Sequence, residues 1–533
     1  MGLTRRKFLA GIALGGAGAL AAGMTGCAAK TQDAELSSGS KDASADRIKH
    51  TPESTETCDI VVVGSGTAGM SAAVRAAQLG AKVIMLEKNA FFGGSSGYAE
   101  GVGGVNSYMH EEAGLHFDTN EVFQRTQEYH HWSADSNVLR RYIEHSGETI
   151  DWLHNDCGVN FYTATITAPT SYPTWHLGAD ADGNVARIKE SLIDVMAEYG
   201  KGIGVDMRTK SPATGLLVED DAIKGVYYEQ DGKEYAIEAE AVILATGGYS
   251  NNQEMFEEFT HIPFDRVWNW GAAGRDGDGI RWARALGADL HIPSNLMFGS
   301  TRCAEANMFE DHAGWVFSWE PALRVNQDGV RFFDETMATD FSRGSNAIAA
   351  QQSVFTIIDQ AYLDQINDVA LPMGLESVGL LTGQPMPDVR DSVTKAVEDG
   401  KVFKADTIEE LSDQLGLDAK TLAATVDEYN TCAGNGIDPV YGTQGAALVP
   451  VATPPFYASK AQLAVFTSVG GLRVDEDLRV LDTDGKPIDR LYAIGTDASS
   501  YAGHDYDVGI FSGAQQGWCA YGGKHAAEHI LGR

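Results

Sequence analysis

Three glycines and one acid carry the first chemical statement in this chain. Between Ile60 and Lys88, an apolar run (Ile60 to Val63) is followed by Gly64, Gly66 and Gly69, and a second run (Lys82 to Leu86) ends at Glu87. This order predicts a strand, a sharp turn, a helix and a second strand. Gly64 would permit the turn, Gly66 would let a pyrophosphate approach the backbone, Gly69 would let the helix pack on the strand, and the helix N-terminus would face the phosphate charge. Glu87 is placed to hold ribose hydroxyls. A glycine-rich turn alone is weak evidence in a chain with 60 Gly, but the order and spacing around it point to a dinucleotide, NAD or FAD.

Two further stretches narrow that choice. FFGGSSGYAEGVGGVNS follows Glu87 directly, and its Gly93, Gly94, Ser95 and Ser96 offer amides and hydroxyls to phosphates and a flavin ring. The apolar strand Ala241 to Leu244 runs into Ala245, Thr246, Gly247 and Gly248, and near the C-terminus Leu491 to Ile494 runs into Gly495, Thr496 and Asp497. A Gly/Ala-rich helix expected from about Ser512 would aim its positive end at a flavin's pyrimidine edge. These signals favour FAD. They assign its contacts to Gly64, Gly66, Thr67, Ala68, Gly69, Glu87, Lys88, Gly93, Gly94, Ser95, Ser96, Ala245, Thr246, Gly247, Asp278, Asp497 and Gly513. The six cysteines form no CxxC or CxxCH, so no iron-sulfur cluster, zinc site or c-type haem is signalled and no metal is expected.

The elements that must position these groups occupy most of the 533 residues. Helical periodicity runs over 137–154 and 185–199, Trp175 and His176 fall in an expected loop, and 203–247 reads as a β-meander returning to the main sheet. The expected fold is α/β: a Rossmann-like split FAD-binding domain (58–289 and 461–533) with an inserted α+β capping domain (290–460). Thr4 to Leu9 resembles a twin-arginine export signal, and Met24 to Cys27 resembles a lipobox. Residues 1–27 are thus expected to direct export of the folded protein, 28–57 to form a flexible tether, and a lipidated Cys27 to hold it at the outer side of the cell membrane. A formal charge of −34 speaks against nucleic acid and against anionic membrane surfaces as partners.

Read in order, GSGTAG, the Glu87 strand, GGSSG, ATGG, GRDGDGIRWARALGA (274–288), NQDGVRFFDE (326–335), VGGLRV (469–474) and LYAIGTD (491–497) resemble the flavoprotein family of fumarate reductase and succinate dehydrogenase. The resemblance is to its soluble branch, with flavocytochrome fumarate reductases, urocanate reductases and 3-ketosteroid dehydrogenases. It implies a mobile cap over the substrate, hydride transfer from reduced flavin to an activated carbon-carbon double bond, and a proton delivered to the neighbouring carbon.

The chain departs from the fumarate pattern at three places. Tyr362 or Leu363 stands where the family's proton-donating arginine is expected, and no Arg lies between Arg343 and Arg390. Where a histidine pair is expected just before a glycine pair the chain has Phe466, Thr467, Ser468, Val469, Gly470 and Gly471, and Tyr506 replaces the carboxylate-binding arginine. Two carboxylates need cationic clamps, so the expected substrate is an enone or conjugated acid and not fumarate. Tyr506, Arg343, His504 and Tyr362 are the candidate catalytic residues. The expected function is an exported FAD-dependent reductase serving anaerobic respiration, supplied by a separate cytochrome, quinol-linked or flavin donor. A ketosteroid-type dehydrogenase working in the oxidative direction and a ligand-binding flavoprotein without turnover are the alternatives.

Overall fold

Strand β1 (Thr55–Val63) begins three residues before the Cys58 boundary expected from composition. Its polar first half pairs in parallel with Ala236 to Ala239, and ahead of it the His50 ring stacks on Tyr227 at 3.8 Å and bonds Glu234 at 2.7 Å. A backbone ladder needs no apolar side chains, so residues 50–57 belong to the fold and not to a tether. The computed structural model describes residues 50–533 apart from 168–170, 221, 292–295, 298–310 and 376–378, and leaves aside the side chains of 296, 297 and 341. The expected signal, Cys27, the tether up to residue 49, and Cys303 lie outside the described residues.

After β1 come α1 (Thr67–Gln78), β2 (Val83–Leu86) and β3 (Gly101–Gly103), then α2 (Thr119–Tyr129) and α3 (Ser136–Asn155). β4 (Phe161–Thr165) and β5 (Trp175–Gly178) pair with β3 in a small antiparallel sheet. Trp175 and His176 therefore sit on a buried strand and not in the expected loop. A π-helical turn, Lys189–Ile193, leads into α4 (Asp194–Gly202). β6 (Asp206–Arg208) extends the parallel sheet beside β2, so the meander consists of β7 (Ala213–Glu219), β8 (Ala222–Gln230) and β9 (Lys233–Leu244) alone.

β10 (Val267–Asn269) and α5 (Asp278–Ala285) precede the cap. The cap contributes β11 (Leu323–Asn326), α6 (Phe341–Ala349), β12 (Val354–Asp359), α7 (Gln360–Asp368), β13 (Phe403–Ala405), α8 (Ala419–Asn435) and β14 (Phe456–Lys460). Its antiparallel sheet, in the order β11-β12-β14-β13, covers a core of its own that includes Leu323, Ile357, Leu422 and Tyr429. The chain then returns through β15 (Leu463–Val465), which pairs with β10, to β16 (Arg479–Leu481), β17 (Pro487–Ala493) and α9 (Ala514–Ile530). The main sheet has the order β16-β17-β9-β1-β2-β6. Its centre is buried on both faces, which explains the unbroken apolar runs Ile60–Val63 and Ala241–Leu244.

The NQDGVRFFDE motif braces the cap. Arg331 donates to both Glu335 oxygens at 2.8 and 2.7 Å and to Asp438 at 2.6 Å, between the rings of Tyr429 and Tyr441. Breaking a buried pair leaves an uncompensated charge. Arg331→Ala should lower stability by about 3–5 kcal/mol in denaturant titrations, because Glu335 and Asp438 would stay buried without a cation.

Candidate active site

The C-terminal ends of β1 and β9 meet beside the N-terminus of α1. Gly64 has φ of +108°, and a Cβ there would lie 2.1 Å from Ala245 O; one at Gly69 would lie 2.0 Å from Gly64 O. These glycines let strand, loop and helix touch. Gly66 differs, since its Cβ would meet nothing closer than Ser96 Oγ at 3.3 Å, and its bare face lines a cavity of about 940 Å³. No acid occupies the first turn of α1, Thr67 N–H donates to Ser96 Oγ at 3.1 Å, and Thr67 Oγ1 is buried without a partner. A helix N-terminus with an unmatched buried hydroxyl fits a pyrophosphate.

Glu87 is buried beside it, accepting from Ser65 Oγ at 2.6 Å, Ser65 N at 3.2 Å and Asn89 N at 2.7 Å. This clamp fixes the carboxylate where a ribose would sit. Lys88 also lines the cavity, and its Nζ bridges Asp276 and Asp278 at 2.9 Å each. Gly93, Gly94, Ser95, Ser96, Ala68, Ala245, Thr246, Gly247 and Asp278 line the cavity as expected, Thr67 and Gly69 do not, and Ala213, Trp282, Arg275, Phe466, Thr467, Gln515 and Gln516, to which no cofactor contact was assigned, do. Arg275 lies inside the GRDGDG segment, so a signal was present there. The two glutamines open α9, and Gln516 Oε1 is buried without a partner. The donor set, the glycine-lined approach and the two helix ends fit FAD.

Asp497 does not line the cavity. Its fully buried carboxylate accepts from Thr246 N at 2.5 Å, Gly248 N at 2.9 Å and Thr246 Oγ1 at 2.8 Å, while Thr246 Oγ1 also accepts from Gly279 N at 3.2 Å. Burial raises its pKa above the usual carboxylate range, opposed by these hydrogen bonds. Asp497 therefore positions the ATGG loop and does not contact the cofactor. Gly513 is likewise structural: its Cβ would lie 2.5 Å from Trp175 Cδ1, and its carbonyl accepts from Gly103 N at 2.9 Å.

The candidate catalytic residues part company. Tyr506 is buried in the loop leading to α9, and burial raises its phenol pKa, opposed by a hydrogen bond from the main chain of cavity-lining Gln515. Its own N–H donates to Ser342 Oγ of α6 at 2.9 Å, so cap and loop meet at this residue. Arg343, one residue on, lies 3.7 Å over the Tyr129 ring and 3.8 Å from Asp340, with its side chain 40% exposed. His504 is exposed and is held through its backbone to Ser133 Oγ at 3.0 Å. Tyr362 is buried inside the cap, where its hydroxyl donates to Glu320 at 3.1 Å. Burial pushes Glu320 up to about 8, against hydrogen bonds from Trp315 and Tyr362. That pair belongs to the cap's interior, and none of Tyr506, Arg343, His504 and Tyr362 lines the cavity. Trp175 packs on Gly513, and His176 bonds Ser107 Oγ at 2.6 Å, with burial lowering its pKa to about 3.

The cations at the cavity are already engaged. Arg275 donates to Ala272 O at 2.9 Å, to Phe466 O and to Asn269 Oδ1 at 3.1 Å, and burial lowers it to about 10. Beside it Phe466 presents an apolar wall, with Trp270 at 4.6 Å from ring to ring and Trp268 stacked behind at 6.3 Å.

A family described as an FAD binding domain matches residues 59–511. A vinyl phenol reductase from Lactiplantibacillus plantarum is 33% identical over 485 residues, covering 88% of this chain and 96% of that protein. A urocanate reductase from Eggerthella lenta is 28% identical over 470 residues, covering 86% and 72%. Among solved structures, the fold is similar to 3-ketosteroid delta1-dehydrogenase from Sterolibacterium denitrificans, at 21% identity and TM-score 0.74, covering 90% of this chain and 100% of that one.

Gly64→Ala should yield protein without bound flavin absorbance, because Ala245 O leaves no space for the new methyl. Asp497→Ala should release FAD more readily and lower the melting temperature although it touches no ligand. Each buried donor it strands costs about 1–3 kcal/mol.

Proposed function

The chain belongs to this FAD-binding family of fumarate reductase-like flavoproteins and is an FAD-dependent oxidoreductase acting on CH-CH groups, and from that premise we propose that it reduces an uncharged or singly charged alkene conjugated to an aromatic ring, carbonyl or acid. Bound reduced FAD supplies the hydride. The observation that carries the reading is that Tyr506, and Tyr362 or Leu363, stand where the fumarate pattern has arginines, with no Arg between Arg343 and Arg390. A second carboxylate, as in fumarate, would require such cations.

The relationship to a protein named for vinyl phenol supports an aryl-conjugated substrate. In this reading Tyr506 delivers the proton, its hydroxyl set beside Gln515 at the cavity end of α9, while Arg343 steadies Asp340 and Tyr129 at the cap boundary. The same reading places the enzyme outside the cytoplasm, exported through its N-terminal signal and anchored at Cys27, using its substrate as a respiratory electron acceptor fed by a separate redox protein. The sequence of residues 1–27 and the absence of any haem-attachment motif support it.

The test is anaerobic reoxidation of reduced viologen by FAD-loaded protein, offered a vinyl phenol, a cinnamate, an enone and fumarate. Turnover is expected with the aryl-conjugated alkenes and not with fumarate. Rapid fumarate reduction would sink the substrate assignment. Dye reduction by a 3-ketosteroid, with no alkene reduction, would favour the oxidative direction. Tyr506→Phe should lower kcat on the order of 100-fold at unchanged FAD content; the proton-donor assignment fails if it does not.

A further inference from the structure

The first turn of α9 is held by two phenols from outside the helix. Tyr142 of α3 donates to Ala514 O at 2.8 Å, and Tyr501 donates to the side-chain Oε1 of Gln515 at 2.9 Å. Tyr501 is fully buried, its ring 5.5 Å from that of Tyr142 and 5.2 Å from that of Trp518. A phenylalanine would pack in this aromatic cluster, and a buried hydroxyl is costly unless it is bonded. The Tyr501 hydroxyl meets that demand on an amide that lines the cofactor cavity. At the other end of the same amide, Gln515 Nε2 lies 3.7 Å from Cys519 Sγ, one turn further along α9. Gln515 therefore has its oxygen committed to the phenol and keeps an N–H to give. Gln516 is the complement: it lines the same cavity, is 7% exposed, and its Oε1 is buried without a partner. Gly513 caps the helix without a side-chain bond, and no acid stands in the first turn.

Glu87 and the glycine turn suit the ribose and pyrophosphate of FAD, which leaves the part of the cavity beside Phe466, Thr467, Gln515 and Gln516 for the flavin ring. The pyrimidine edge of a flavin alternates carbonyl acceptors with an N–H donor. A donor-only Gln515 and an unmatched acceptor on Gln516 answer that pattern. We propose that Tyr501 is a positioning residue that sets the redox potential of the flavin: by occupying Gln515 Oε1, it keeps the amide N–H group turned to the pyrimidine edge. Reduction adds two electrons and one proton to the flavin and leaves negative charge at that edge. An N–H donor there favours the reduced form, and an amide oxygen opposes it. The two ends of an amide are nearly the same size, so without the phenol's hydrogen Gln515 can present its oxygen instead. The inference rests on FAD binding and is independent of the substrate and of Tyr506.

The experiment is the two-electron midpoint potential of the bound flavin in full-length FAD-loaded protein, measured without substrate by equilibration with a reference dye. Tyr501→Phe, which keeps the ring, should weaken the preference for reduced over oxidised flavin about tenfold, a potential about 30 mV more negative. Gln515→Glu keeps the acceptor for Tyr501 and removes the N–H, and should lower the potential at least as far. In a Gln515→Leu background, adding Tyr501→Phe should move the potential no further, because the two residues act through one contact. A lower melting temperature of Tyr501→Phe with the potential unchanged would mean that the phenol serves packing alone, and overturns the inference. Additive shifts in the double variant overturn it as well, since Tyr501 would then reach the flavin by another route. A wild-type potential in Gln515→Glu does the same whatever Tyr501→Phe shows, because no Gln515 donor would then meet the flavin.

Discussion

The cofactor cavity exists because one buried carboxylate ties together two parts of the chain that lie 251 residues apart. Asp497 accepts from Thr246 N, and from Gly248 and the Thr246 hydroxyl as well. These donors belong to a loop that leaves β9 exactly where Gly64 leaves β1, with no room for a side chain between them. An acceptor-only group with several donors satisfies the loop's buried N–H groups at once, and no single backbone carbonyl could do so. The cost of burying that charge is visible as a raised pKa. With the loop fixed, the ends of β1, β9 and β17 form one edge, and α1 and α9 bring their N-termini to the cavity from two sides.

The inserted cap obeys a different constraint. It carries its own sheet and a core that includes Leu323, Ile357 and Leu422, while Trp315, Ile358 and Tyr362 join the core of the flavin domain. Its charged motif is consumed internally, with Arg331 held by Glu335 and Asp438. Tyr362 is consumed in the same way by Glu320. What the cap offers to the cavity side is the start of α6, where Asp340 receives Tyr129 and Ser342 receives the Tyr506 backbone. The cap thus meets the loop that carries Tyr506 at the start of α6.

At that end the balance of polar and apolar surface is unusual for a site handling small acids. Arg275 supplies positive charge but gives a hydrogen bond from each of its three nitrogens to a protein acceptor, and beside it Phe466 packs on Trp270. Aromatic walls bind flat, weakly charged groups through burial and ring stacking. The substrate's polar end then falls to hydroxyls and backbone dipoles, which favours hydrogen bonding over ion pairing.

The amino-acid sequence by itself determined the family, the cofactor and the sheet that holds it, because those depend on contacts a few residues apart. Gly69 must be glycine for a reason set within one strand-turn-helix unit, the approach of Gly64 O, and apolar runs announce strands buried on both faces. It also marked Tyr506, since that residue stands in a recognisable motif at the mouth of α9. Tertiary structure alone decided which marked residues meet the cavity. Asp497 and Gly513 position the backbone, Tyr362 serves the cap, His504 faces solvent, and Trp175 lies on a strand. It likewise brought in Arg275, Trp282, Gln515 and Gln516. The physical reason is one of range: backbone conformation is set by neighbours in the chain. Whether a charged or phenolic side chain is free, spent or forced to keep its proton is set by partners that lie hundreds of residues away and by the water their packing excludes.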